Sequence, residues 1–134
     1  MPITKGYKKL IADARAKIRT LTLEEAQAKF GDPNVVFIDI RDIRELEREG
    51  MISGAFHAPR GMLEFWVDPE SPYYKELFGS GKEFILYCAS AWRSSLATAA
   101  LQDMGLNPVS HVEGGFKAWK EAGLPVEAKS QAKH

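Results

Sequence analysis

Cys88 is the one cysteine in the chain, and it stands directly after Phe84-Ile85-Leu86-Tyr87, an apolar run that reads as a buried strand. Ala89, Ser90, Ala91 and Trp92 separate it from Arg93, and from Arg93 or Ser94 to Met104 the apolar spacing is that of a helix. A lone cysteine behind a strand is most often inert core. Its position between a strand and a helix start reverses that expectation. A short loop wrapped from strand into helix turns successive backbone N–H groups inward and builds an anion-binding nest. The helix dipole adds about half a positive charge there, and Arg93 adds a full one. A thiolate held in such a cradle is a nucleophile that needs no histidine base beside it.

Whatever Cys88 carries, the transferred group is anionic, either the outer sulfur of a persulfide or a phosphoryl group. Preformed N–H donors stabilise that charge without rearranging. Cys88 through Arg93 is a loop of six residues. Tetrahedral phosphate needs a wider ring of donors than one sulfur atom does. The short loop favours sulfur.

The surrounding elements must hold this loop in place. Thr22-Leu23-Glu24-Glu25 offers a capping box for a short helix to about Phe30. Val35 to Ile40 is a continuous β-branched and aromatic run, suited to a buried parallel strand. Asp42 to Glu49 reads as a brief charged helix closed by Gly50, and Ala55-Phe56-His57 as a weak strand. Gly61 to Trp66 is expected to be helical, and Ser71-Pro72 to open another helix. Pro108 to Val112 is a further strand, and Phe116 to Ala122 a helix ended by Gly123 and Pro125. Strands alternating with helices predict an α/β fold with a mainly parallel sheet, whose ligand site lies beyond the strands' carboxyl ends.

Composition agrees with one soluble domain. Of 134 residues, 45% are apolar and 27% charged, and eighteen Lys+Arg balance eighteen Asp+Glu. A neutral chain has no global field to recommend a nucleic-acid partner. No apolar run approaches the roughly 18 residues of a membrane helix, and the start has no signal-peptide h-region. A single cysteine excludes an internal disulfide and suits a reducing compartment, the cytoplasm. The neutral total hides an asymmetry. Residues 1–20 carry a formal +5 and the remainder −5. Ile3, Tyr7, Leu10, Ile11, Ala14, Ile18 and Leu21 recur at helical steps, so residues 1–21 are expected to form a basic amphipathic helix. Its apolar stripe would pack on the domain or on a second copy of the chain.

Three segments carry a family resemblance: Asp39-Ile40-Arg41 with Glu45 and Gly50; Cys88 through Ser94; and Glu113-Gly114-Gly115-Phe116-Lys117-Ala118-Trp119 running to Gly123-Leu124-Pro125. In this order and spacing the chain resembles a single-domain rhodanese-family sulfurtransferase over residues 22–126, with a flexible tail over 127–134. The resemblance implies a three-layer fold, a five-stranded, mainly parallel sheet with helices on both faces. It implies that Cys88 forms a persulfide and passes its outer sulfur to a thiophilic acceptor. Ala89, Ser90, Ala91, Trp92, Arg93 and Ser94 are then the cradle, acting mostly through backbone N–H groups. Asp39 and Arg41 occupy the family's Asp-x-Arg position and are expected to brace the active loop and its neighbours. Arg60 is a candidate for the pocket mouth, where a cation would attract an anionic donor.

The chain departs from that pattern in two places. Where many relatives read Gly-His-Ile-Pro-Gly-Ala, it has Gly50-Met51-Ile52-Ser53-Gly54-Ala55. Members that prefer thiosulfate carry cations right after the cysteine, whereas Ala89 to Trp92 are uncharged. Thiosulfate is therefore expected to serve less well than polysulfide or a persulfide. Trp92 would either form an apolar rim or pack under the following helix. His57, His111 and His134 have no partners at metal-ligand spacing, and no metal or organic cofactor is implied. The expected partners are small sulfur-containing anions and an external thiol or acceptor protein, since no second cysteine can resolve the persulfide. A persulfide carrier without turnover, an interaction module, a phosphatase and a redox sensor are the competing readings.

Overall fold

The computed structural model describes residues 2–129. Strands β1 (Arg19–Leu21), β2 (Val35–Asp39), β4 (Phe56–His57), β5 (Glu83–Tyr87) and β6 (Val109–Val112) form one sheet. Its order is β1-β6-β5-β2-β4, and every neighbouring pair is parallel. A second pairing, antiparallel, joins β3 (Met51–Ile52) to β7 (Val126–Glu127).

Alternation along the central strands divides the core in two, because successive side chains leave opposite faces. Ile38, Phe84 and Leu86 meet Leu63 and Val67 of α4 (Leu63–Val67) and Ala97 and Leu101 of α5 (Trp92–Asp103). Phe37, Ile85 and Tyr87 meet Ala26 of α2 (Leu23–Lys29) and Phe116 and Trp119 of α6 (Gly115–Glu121). Each buried Leu, Ile or Phe stabilises the fold by about 1.5–3 kcal/mol. The three-layer α/β architecture is thus the one the sequence predicts, with a wholly parallel main sheet.

Local signals mark several boundaries. Thr22 Oγ1 accepts the Glu25 N–H and Glu25 returns the bond to the Thr22 N–H, a complete capping box on α2. Asp42 and Glu45 build the same device on α3 (Ile43–Glu49), which Gly50 ends.

Three expectations need correction. The N-terminal helix does not run to residue 21. α1 spans Tyr7–Lys17, Ile18 is extended, and Arg19–Leu21 become the edge strand of the sheet. Ile18 and Leu21 fit helical spacing, but Leu21 is fully buried in the sheet's core and the segment's backbone pairs with Ser110–Val112. α1 packs on α5 through one small residue, an ion pair and the Tyr7–Trp92 ring contact. Ala14 is buried, Lys17 pairs with Asp103 at 2.9 Å, and Tyr7 and Leu10 stay exposed. Ser71-Pro72 opens no helix. Ser71 Oγ accepts the Tyr73 N–H and its carbonyl the Tyr74 N–H, closing a turn, and only a 3-10 turn follows at Glu76–Gly79. The helical stretch expected over Gly61–Trp66 is present, as a 3-10 turn, Arg60–Met62, continued directly by α4. Glu127 belongs to β7 rather than to a tail, and its carboxylate accepts the Gly54 N–H at 2.9 Å. The remainder of the expected tail from Ser130 lies outside the described residues.

Candidate functional site

In a parallel sheet all carboxyl ends face one edge, and here that edge gathers the chemistry-bearing residues. Cys88 follows β5, the central strand; Asp39 ends the neighbouring β2; Arg60 follows β4; and Gly114-Gly115 follow β6. Cys88 is buried. Its Sγ accepts the backbone N–H of Ser94 at 3.4 Å.

The loop's shape is imposed from α6. Phe116 N–H donates to the Cys88 carbonyl at 2.7 Å and Lys117 N–H to the Ala89 carbonyl at 3.2 Å. With those carbonyls committed outward, the N–H groups of Ala89, Ser90 and Ala91 have no protein acceptor among the described residues. Ala91 closes the loop in the left-handed region at φ 82°, a conformation that costs an L-residue on the order of 1–3 kcal/mol. Gly115 lets the two segments touch. A Cβ built there would sit 2.5 Å from the Cys88 carbonyl oxygen.

Arg93 does not stand free in the cradle. Its guanidinium donates to both oxygens of Glu45, at 2.8 and 3.0 Å. Those bonds hold the Glu45 carboxyl down to about 2. Glu45 carried part of the resemblance and the cap of α3, but nothing local reveals a partner 48 residues away. Arg93 and Arg60 line one small depression of about 220 Å³ beside Pro59 and Asp42. Arg60 also donates to Glu64 at 2.8 Å.

Asp39 and Arg41 are both completely buried, so they are no surface ion pair. The Asp39 carboxylate accepts from the Arg41 N–H, Nε and Nη2. Arg41 continues to the Gly50 carbonyl at 2.7 Å and lies 4.2 Å from the centre of the Phe116 ring. The pair therefore braces β2, the end of α3 and the first turn of α6, and it meets the Cys88 loop through Phe116 and through Tyr87, whose ring centre lies 5.9 Å from the Arg41 guanidinium.

Ser94 is tied down from the other side. Its buried Oγ meets His111 Nδ1 at 2.9 Å, and His111 Nε2 meets Thr20 Oγ1 at 2.8 Å. Burial pushes the His111 imidazole down to about 4, so it stays neutral and passes one proton's worth of donation along the chain. Nothing in the local sequence around His111 points to this link, because Thr20 reaches it only once Arg19–Leu21 pair as a strand beside β6. Trp92 is 56% exposed at the start of α5 and packs against Tyr7 of α1, ring centres 5.0 Å apart. It is not packed beneath α5, and its ring contact runs to α1.

The rhodanese-like domain family model matches residues 22–122. The chain belongs to the rhodanese-like family. Its fold is shared with solved rhodanese-like structures. A Rhodopseudomonas palustris protein, described as of unknown function and a possible tyrosine phosphatase, is 52% identical with a TM-score of 0.92, covering 95% of this chain and 98% of that one. The polysulfide-sulfur transferase homodimer of Wolinella succinogenes is 27% identical with a TM-score of 0.69, covering 96% of this chain and 91% of that one. A tRNA uridine(34) hydroxylase of Enterobacter is 32% identical over 79% of this rhodanese-like chain and 31% of its own length. The chain spans less than half the length of the curated relatives it matches. Family membership supports a role in sulfur transfer. Among the described residues of this rhodanese-like chain, no helix is long and apolar enough to cross a membrane.

Proposed function

We propose that this protein is a sulfurtransferase working through a Cys88 persulfide. The reading rests above all on the size of the loop. Six residues from Cys88 to Arg93 close around a single sulfur, with the Ser94 N–H 3.4 Å from Sγ. The Cys88 thiolate attacks the sulfane sulfur of thiosulfate, polysulfide or a persulfide. The donor's S–S bond breaks and sulfite, a shortened polysulfide or a thiol leaves with the electron pair. An acceptor nucleophile then attacks the outer sulfur, and Cys88 departs as thiolate. Loop amides hold the negative charge in both states. Arg60 and Arg93 line a depression at the strand ends, but each is already paired with a carboxylate, Glu64 and Glu45, so the loop amides rather than a free cation receive the anionic donor. The lone thiol suits a reducing compartment such as the cytoplasm. A homodimer, the state named for the Wolinella protein, is the expected assembly and is read directly by light scattering.

The test is intact mass after incubation with thiosulfate and, separately, polysulfide, alongside Cys88→Ser. A gain of about 32 Da, one sulfur, is expected on the wild type alone, discharged by cyanide or a thiol. Loading is expected to be better from polysulfide, because Ala89 to Trp92 offer a dianion no charge. Absence of loading from both donors would leave a binding module in its place. The phosphatase in the Rhodopseudomonas protein's description is the second reading. Cys88-dependent hydrolysis of p-nitrophenyl phosphate would favour it.

A further inference from the structure

Behind the Cys88 loop a chain of hydrogen bonds runs to Thr20 on the edge strand. Ser94, whose N–H lies 3.4 Å from Sγ, meets His111 Nδ1 through its Oγ at 2.9 Å, and His111 Nε2 meets Thr20 Oγ1 at 2.8 Å. Ser94 and His111 are completely buried. Resting on the persulfide reading above, we infer that Thr20 is a positioning residue for the Cys88 nucleophile: it sets His111, His111 sets Ser94, and Ser94 aims its N–H at Sγ. β1 then belongs to the working site, although β6 stands between it and β5.

A neutral imidazole donates through one nitrogen and accepts through the other. Burial keeps the His111 ring neutral. Among the described residues its Nε2 is bonded to Thr20 and its Nδ1 to Ser94, so the two hydroxyls are coupled through the ring. When Thr20 accepts from Nε2, Nδ1 accepts from Ser94. When Thr20 donates, Nδ1 donates to Ser94. Either direction holds the ring at both ends, whereas one hydroxyl alone leaves it free to turn. Arg15 and Glu113, the charged groups that act on the ring, pair with each other and give it no further bond among the described residues.

Thr20 is itself held in place. It stands opposite His111 in the parallel pairing of β1 with β6, and α1, which leads into it, is fastened to α5 near both ends. Gln102 Nε2 donates to the Lys17 carbonyl at 2.6 Å, two residues before β1, and Tyr7 packs on Trp92 with ring centres 5.0 Å apart. α1 and β1 both precede residue 22, where the family match begins. The N-terminal segment thus grips the start of α5 twice, at Trp92 through Tyr7 and at Ser94 through Thr20 and His111. The second grip reaches the residue beside Sγ. Thr20 is the informative position, because its hydroxyl bonds His111 alone among the described residues and a β-branched side chain suits a strand with or without that oxygen.

The experiment follows polysulfide loading as the gain of about 32 Da in single turnovers, and times iodoacetamide alkylation of Cys88 in parallel, for wild type, Thr20→Val and Thr20→Ser. Thr20→Val keeps the shape and removes the hydroxyl. Both rates should fall by about threefold to tenfold, the worth of one hydrogen bond, with the urea midpoint close to that of wild type. Thr20→Ser keeps the hydroxyl and should recover most of the rate, whereas a role in packing alone would be met by valine and not by serine. In a His111→Leu background, Thr20→Val should change neither rate further. Wild-type rates in Thr20→Val, no recovery in Thr20→Ser, or equal slowing with and without His111 would each overturn the positioning role, and the first two results need no His111 variant to fold. A wild type that gains no sulfur would overturn the persulfide reading instead, and the alkylation rates would then decide the role of Thr20 by the same comparison.

Discussion

Arg93 and Glu45 form a two-pronged ion pair, Nη1 to Oε2 at 2.8 Å and Nη2 to Oε1 at 3.0 Å, which locks the last residue of the cysteine loop to the first turn of α3. The planar guanidinium matches a carboxylate in this geometry and is fixed in orientation as well as in place. Glu45→Gln keeps the side-chain size and removes the charge. Sulfur loading from polysulfide should slow by about tenfold, roughly 1.4 kcal/mol of barrier, while the mass of the loaded product is unchanged. The pair also makes stability depend on pH. With its carboxyl held at about 2 against an ordinary 4.5, Glu45 stabilises the fold above about 4.5, and that contribution is lost as pH falls from there through about 2. Urea midpoints of wild type and Glu45→Gln should therefore converge on acidification across that window. Parallel curves would count against it.

Asp39 and Arg41 answer to a different rule, because neither touches water. Asp39→Ala strands a buried guanidinium and is expected to cost about 3–5 kcal/mol in urea unfolding. Adding Arg41→Leu to it should recover a large part of the loss, since an uncompensated charge is worse than none. A surface pair would show a small loss in the single variant and no recovery in the double.

His111 links β6, Ser94 and Thr20 as a neutral ring. The unfolded chain takes up a proton near 6.5 and the folded chain only near 4, so stability should be full above about 6.5 and fall as pH drops towards 4. His111→Asn should flatten that part of the profile. It should also slow persulfide formation, because the Ser94 N–H beside Sγ loses its anchor. An unchanged pH profile in the variant would remove His111 from the account.

Gly115→Ala tests the contact between α6 and the loop. The added methyl meets the Cys88 and Ala89 carbonyl oxygens at 2.5 and 2.7 Å, at a residue with φ +60°. The loop must move away, and a loss of about 2 kcal/mol with sharply reduced sulfur loading is expected. Wild-type loading at normal stability would show the loop to be held from elsewhere.

Much of the frame is readable from short stretches of chain. The Thr22–Glu25 and Asp42–Glu45 capping boxes, the strand cores at Val35 and Phe84, the stop at Gly50 and the six-residue span from Cys88 to Arg93 all express hydrogen bonds, side-chain periods or loop lengths that close within a few residues. The failures have one feature in common. Ile18 and Leu21 fit a helix as well as an edge strand, and only pairing with Ser110 to Val112 decides between them. Val126–Glu127 become a strand because Met51–Ile52 lie alongside. Ser71 closes one turn and stops.

By itself, then, the sequence determined the family, the α/β layering and the place of the cysteine in its short loop, because each of these rests on residue types at fixed local spacing. Tertiary structure alone decided which partner each polar group received. Glu45 meets Arg93, Ser94 meets His111, and Arg41 lies across Phe116 because the strand order β1-β6-β5-β2-β4 brings distant carboxyl ends to one edge. A side chain's charge is written in its identity, but its partner depends on which strand folds in beside it.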